Sequence, residues 1–396
     1  MTCKLFVLVL LINISAILFA QKKVINDYSK VDKLALAIPD SLTKTTLEIS
    51  KYFRDNFTSE KYKARAIFIW TASNIQYDLE NMFAINFYEK EEEKIEKILK
   101  NRKGICSNYA ALFNELCHKL QIKSYVVTGY TKQNGFADYI PHAWCIAEID
   151  STWLVFDPTW GSGYVSNNKF VKKINNDYFA SKPENIIKSH MPFDYMWQCL
   201  NYPITNQEFY EGKISQNKSK PFFNFNDSIK KYEKQSNIER LNATAYRIEK
   251  NGLKNSMLFD RLRQIKSDLE YENETKKLTI FNSAITDYNE GVNEFNEFID
   301  YKNKQFTPMR SDKEIQEMID NAKNKLYASK ARFHLIENPG PNLKTPIAQN
   351  LNGLEKIIQQ VSEQEDWLSK YFSKGKAGRK QMFYDKVTWY GIPITK

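Results

Sequence analysis

The apolar positions in the first half of the chain change period more than once. "SLTKTTLEISKYFRDNF" and "SEKYKARAIFIWTASNIQYD" carry them at helical spacing, and the second predicts one buried face of Ala66, Ile69, Trp70, Ser73 and Tyr77. The charged run "EKEEEKIEKILKNRK" reads as a solvated helix face or loop. From Cys106 to Leu120 the spacing is helical again, with Tyr109, Leu112, Phe113, Leu116 and Leu120 on one side. Then the period shortens: "KSYVVTGYT", "HAWCIAEI" and "TWLVFD" are β-branched and aromatic runs of strand length. "KQNGFADYIP" separates the first two and the short "DS" the last two, which predicts an antiparallel meander. Helices followed by such a sheet make an α+β domain.

Near residue 215 the pattern becomes heptad-like. Leu278, Phe281, Ile285, Tyr288, Val292, Phe295 and Ile299 alternate steps of three and four, as do Ile315, Ile319, Ala322 and Leu326, and then Ile347, Leu351, Leu354, Ile358 and Val361. "SDKE" at 311–314 is a capping box, "NPGP" at 338–341 stops a helix, and "TP" at 345–346 predicts an N-cap followed by proline. Long helices with short connections predict an all-α bundle or coiled-coil hairpin. The tail "FYDKVTWYGIPIT" is apolar enough to dock on the body of the protein.

With 396 residues there is enough chain for two cores. The first twenty, "MTCKLFVLVLLINISAILFA", pair a basic Lys4 with a short apolar run and end on a small residue, the pattern of an export signal rather than a membrane span. The expected division is therefore a signal peptide at 1–20, an α+β domain at 21–214 and a helical domain at 215–396. The expected product is periplasmic or extracellular, with no integral span after signal removal. The net charge of +10 is interspersed with acidic residues, so no tract points to nucleic acid. Cys3 leaves with the signal, and Cys106, Cys117, Cys145 and Cys199 read as free thiols rather than a disulfide framework.

Cys106 stands out among them. It follows Gly104 closely and begins a helix, where unsatisfied backbone N–H groups and a positive partial charge favour thiolate and could hold an oxyanion. A thiolate nucleophile needs a base, and the base an orienting group. His142 begins one strand and Asp157 ends the next, and a hairpin on the "DS" turn would set them side by side, about 5 Å apart across the ladder. His118 lies on the same helix as Cys106, His334 in the distal helices, and His190 reads as structural. Trp144 and Trp160 flank the candidate pair and could wall a cleft or simply fill the core. Zinc spacing, CxxC, a phosphate loop and a calcium loop are all missing from the sequence, so neither cofactor nor metal is expected.

The blocks "KARAIFIWTASNIQYD", "KGICSNYAALFNELC" and "PHAWCIAEIDSTWLVFDPTWG", followed by "DYFASKPENIIKSHMPFDYMWQCLNYPIT", resemble the transglutaminase-like superfamily, in particular its kyphoscoliosis-peptidase-like branch, over residues 45–212. The resemblance implies a papain-like fold with Cys106 as nucleophile, His142 as base and Asp157 as orienter. It also implies an upstream group on the oxyanion side, for which Trp70 and Asn74 are the candidates. Many members place an acidic residue and glycine after the cysteine; here Ser107 and Asn108 stand there. The expected function is an exported cysteine enzyme that transfers acyl groups from peptide or protein amides, with hydrolysis favoured over crosslinking. The alternative is a non-catalytic peptide-binding scaffold whose helical domain recruits a protein partner.

Overall fold

The computed structural model describes residues 28–83, 89–133, 135–138 and 140–384. The predicted export signal and residues 385–396 of the apolar tail lie outside the described residues. The chain divides into two compact units, Met1–Lys234 with Ala243–Leu262, and Gln235–Asn242 with Arg263–Lys396.

In the first unit the order is α1 (Ser29–Leu36), α2 (Thr46–Asn56), α3 (Glu60–Asn74), β1 (Gln76–Tyr77), α4 (Glu91–Asn101), β2 (Lys103–Gly104), α5 (Cys106–Lys119), β3 (Ser124–Gln133), β4 (Phe136–Ala137), β5 (His142–Ile149) and β6 (Thr152–Phe156). There follow α6 (Pro158–Ser162), β7 (Gly163–Ser166), β8 (Lys169–Lys172), α7 (Pro183–Ile186), β9 (His190–Pro192), α8 (Asn206–Glu211) and α9 (Phe225–Lys234). The meander is present: β3 pairs antiparallel with β5, and β5 with β6. Asp150 and Ser151 close the second hairpin with both residues at positive φ, the mirror-image turn that matches strand twist. β9 adds to β3 through Thr131–His190, a pairing that three residues without periodicity did not announce.

β5 explains its own sequence. Ala143, Cys145 and Ala147 face a core shared with α2, α3 and α5, while Trp144 and Ile146 face a second core with Val127, Trp153 and Val155. A strand buried on both sides reads as an unbroken apolar run, and here the small residues lie under the helices and the large ones on the opposite face. The first core is sealed by Arg65, whose guanidinium donates twice to Asp32 at 2.7 Å and once to Asn176 at 2.7 Å.

Two helix expectations change. The helix expected over 41–57 breaks into a 3-10 turn at Asp40–Thr43 and α2, because Thr45 acts as N-cap and accepts from Glu48 N. α3 has no single apolar face: Ala64 through Ala72 are all buried, and the chain leaves the helix after Asn74, so Tyr77 belongs to β1. A helix wrapped on all sides carries no amphipathic signature.

The remainder is α10 (Asn237–Lys250), α11 (Ser256–Asn303), α12 (Asp312–His334), α13 (Pro341–Phe372) and α14 (Lys376–Gln381). In the second unit the heptad positions form one core, with Phe295, Ile315, Ile319, Ala322, Leu326, Ile347, Leu354 and Val361 buried and Phe281, Ile285, Tyr288, Val292 and Ile299 packed against it. Leu278 is exposed. The capping box is made, Ser311 Oγ accepting from Glu314 N and Glu314 Oε2 from Ser311 N. The start of α13 is five residues earlier than "TP" predicts: Pro341 takes the N1 place after Gly340, and Pro346 lies inside the helix. Pro346 lies beyond the first turn, so the helix forgoes there the N–H bond to the carbonyl four residues back.

Candidate active site

α5 begins at Cys106 because Ile105 is extended and its backbone N–H is taken by Asn108 Oδ1 at 3.0 Å. Asn108 therefore turns back on the helix start, and its Nδ2 donates to Lys94 O at 3.4 Å. The departure from the resembled pattern at this position is a packing device. Gly104 answers to the same contact: a Cβ there would stand 2.9 Å from the Cβ of Asn108. Close approach of that side chain is the demand on Gly104, rather than a tight turn.

His142 is the first residue of β5, and its Nε2 lies 2.8 Å from Asp157 Oδ2. A carboxylate only accepts, so this nitrogen carries a proton; Cys106 lines the same cleft as His142 and interacts electrostatically with its imidazole. The pair does not sit directly across the ladder. Pairing of β5 with β6 ends at Cys145–Phe156, and extending the register puts Asp157 opposite Trp144, so His142 and Asp157 meet diagonally. Asp157 is also the N-cap of α6: Oδ1 accepts from Thr159 N at 2.9 Å and Trp160 N at 3.1 Å. Pro158 occupies the following N1 place.

A second imidazole completes the cluster. His190 Nε2 lies 3.1 Å from the same Asp157 Oδ2, and its Nδ1 lies 2.8 Å from Ser189 Oγ. From sequence His190 reads as structural, and its one link to the site is its place in the downstream block that shares the family pattern. Gly129 makes room for the arrangement, since a Cβ on it would lie 2.1 Å from Met191 O and 2.6 Å from the Trp144 ring. Trp144 stacks on His142 with ring centroids 5.9 Å apart and meets His190 edge-on at 5.1 Å. Trp160 lies 5.6 Å from His142 and 4.7 Å from His190.

Asp157 is 0 % exposed, and burial alone would raise its pKa; His142 and His190 reverse this and hold the carboxyl well below its usual range. Burial likewise works against a charged His142, but the Asp157 charge, its hydrogen bond and the Cys106 contact raise the imidazole to about 10. His190 goes the other way: burial lowers it despite Asp157. One carboxylate therefore faces a protonated imidazole and a neutral one. The three ligand atoms lie within 4.8 Å of one another, a spacing metal ions use, but both imidazoles already direct Nε2 at Oδ2 and the hydrogen bonds account for the cluster.

Cys106 and His142 open on a cleft of about 1480 Å³, walled by Tyr77, Phe136, Trp160, Tyr164 and Tyr178. Trp160 is thus a cleft wall, whereas Trp144 is buried behind the imidazoles. Trp70 and Asn74 are not among the cleft-lining residues: Trp70 is buried with the Arg102 guanidinium over its ring, and Asn74 Nδ2 donates to Trp70 O. The four described cysteines are all free. Burial pushes the Cys117 and Cys145 thiols up, and Cys199 to about 12.

Residues 48–158 match the model of the transglutaminase-like superfamily. The chain carries a transglutaminase-like domain. Kyphoscoliosis peptidase of Mus musculus is 33% identical over 159 residues, 38% of this chain and 24% of that protein. The Homo sapiens protein of the same name is 30% identical over 193 residues, 46% of this chain and 29% of that protein. The match thus spans about a quarter of the length of these curated relatives. A crystal structure of a TGase aligns with 37% of this chain and 40% of its own, at 22% identity and a TM-score of 0.24. Among the described residues no helix is long and apolar enough to cross a membrane.

Proposed function

We propose that this chain is an exported cysteine enzyme that transfers the acyl group of peptide or protein amides, with Cys106 as nucleophile, His142 as acid and base, and Asp157 as orienter. The observation that carries this reading is the His142 imidazole, bonded at 2.8 Å to the buried Asp157 carboxylate and lining one cleft together with the Cys106 thiol. The raised imidazole keeps a proton on His142, available to the leaving group.

The thiolate attacks the amide carbonyl carbon, and the carbonyl electron pair moves onto oxygen, where backbone N–H groups at the start of α5 can receive it. The intermediate collapses as His142 Nδ1–H protonates the leaving amine, which departs as the free amine and leaves a thioester on Cys106. Water then attacks the thioester and gives its proton to His142. The products are a carboxylic acid and the regenerated thiol. An amine in place of water would give a new amide; an open, wide cleft admits water freely, and hydrolysis is the favoured course.

Incubation of the wild type and Cys106→Ala with a diverse peptide library and a labelled amine tests this. Cleavage products that vanish in the variant are expected. Absence of both cleavage and amine incorporation across pH and reductant in the wild type overturns the proposal and favours a peptide-binding scaffold.

A further inference from the structure

Asp157 receives more donors than an orienting carboxylate needs. Oδ1 is fixed by two backbone N–H groups, and Oδ2 is shared by two imidazoles. His190 is only 1 % exposed and does not line the cleft, so it touches no substrate. Its ring is held edge-on by Trp144 and Trp160, with Tyr178 alongside. Since the carboxylate can only accept, His190 Nε2 carries hydrogen, and a neutral ring then offers Nδ1 as acceptor to the Ser189 hydroxyl.

We propose that His190 is a positioning residue that shares Asp157 with His142 and, by directing a neutral N–H dipole at Oδ2, limits how tightly Asp157 holds the His142 proton. This rests on the acyl-transfer reading of the same site. The reaction needs that limit: His142 must release its proton to the leaving amine and accept one from water, and a carboxylate undivided in its hold on the imidazole would slow the release. The titratable groups that face His142 are Cys106 from α5, Asp157 after β6 and His190 from β9. Tyr77 of β1 and Tyr178 before β9 lie within electrostatic reach of Asp157, and Asp138 after β4 within reach of His190.

The test uses the full chain and needs no substrate. Iodoacetamide labelling of Cys106, read by mass spectrometry as a function of pH, reports the step at which His142 loses its proton. In His190→Phe, which keeps a ring but removes the donor, that step is expected to move up by about half to one pH unit. His190→Gln, which restores an N–H, is expected to stay near the wild type. An unmoved or lowered step in His190→Phe, or a His190→Gln profile that matches it, overturns the assignment. Should His190→Phe fail to fold, Ser189→Ala carries the test: freeing the tautomer is expected to move the step up by less, and an unmoved step overturns the assignment. A moved step in a chain that turns over no amide would sustain the role of His190 while removing the enzymatic reading.

Discussion

His142 and Asp157 are joined at 2.8 Å although the β5–β6 ladder that brings them together stops at Cys145 and Phe156. The contact is therefore made by a strand end and a helix cap, and Asp157 belongs to both the hairpin and α6. Replacing Asp157 by Asn keeps the shape but presents an amide that can offer N–H where His142 also offers one. The proposed turnover is expected to fall by about 100- to 10,000-fold, checked as kcat/KM on any peptide cleaved by the wild type, with the fold monitored by circular dichroism.

The same pair sets a pH dependence of stability. His142 is raised above its ordinary 6.5 to about 10, so its contribution is complete below 6.5 and is lost as pH rises through the folded value. Asp157 is depressed below 3.8, so its contribution is complete above that value and is lost as pH falls toward the folded one. Thermal unfolding of the wild type is expected to show Tm falling between pH 6.5 and 10, with a shallower fall in Asp157→Asn. Equal slopes in the two proteins would count against the coupling.

Arg65 is a buried cation held by Asp32 and Asn176 and covered by the rings of Tyr28 and Phe179 at 5.0 and 4.9 Å. Arg65→Ala removes the partner of Asp32 and opens a void in the same step. A loss of about 3 kcal/mol is expected from denaturant unfolding, against a much smaller loss for an exposed pair such as Lys44→Ala, whose partner is Asp40.

Gly129→Ala should act on the site through the backbone. The added methyl meets Met191 O and the Trp144 ring at distances no carbon tolerates, so β9 has to move and His190 with it. A stability loss of about 1–3 kcal/mol or more is expected together with slower Cys106 labelling at neutral pH. Labelling at the wild-type rate would show that the thiol does not depend on β9.

What the sequence made legible follows from periodicity. α5 carries a clean helical stripe through Tyr109, Phe113 and Leu116, and β5 and β6 are separated by two residues that allow one pairing. Cys106, His142 and Asp157 each mark an element boundary, where chemistry and punctuation coincide. The diagonal offset of His142 and Asp157 is itself contained in the two-residue loop, which pairs Ile149 with Thr152 and so carries His142 opposite position 159, two places beyond Asp157. His190 was hidden: β9 is three residues long, and its place beside β3 is a tertiary fact with no local pattern. α3 misled because burial on every side erases the stripe from which a face is read.

Asp150 and Ser151 both hold left-handed backbone without the freedom of glycine, while Asp150 N donates to Glu60 Oε2 at 2.8 Å. An Asn-Gly pair in their place would keep that N–H, relax the bend and leave the far end of the hairpin untouched. The tether between His142 and Asp157 thus has a handle remote from the chemistry, through which the scaffold can be made sturdier while the reacting groups stay as they are.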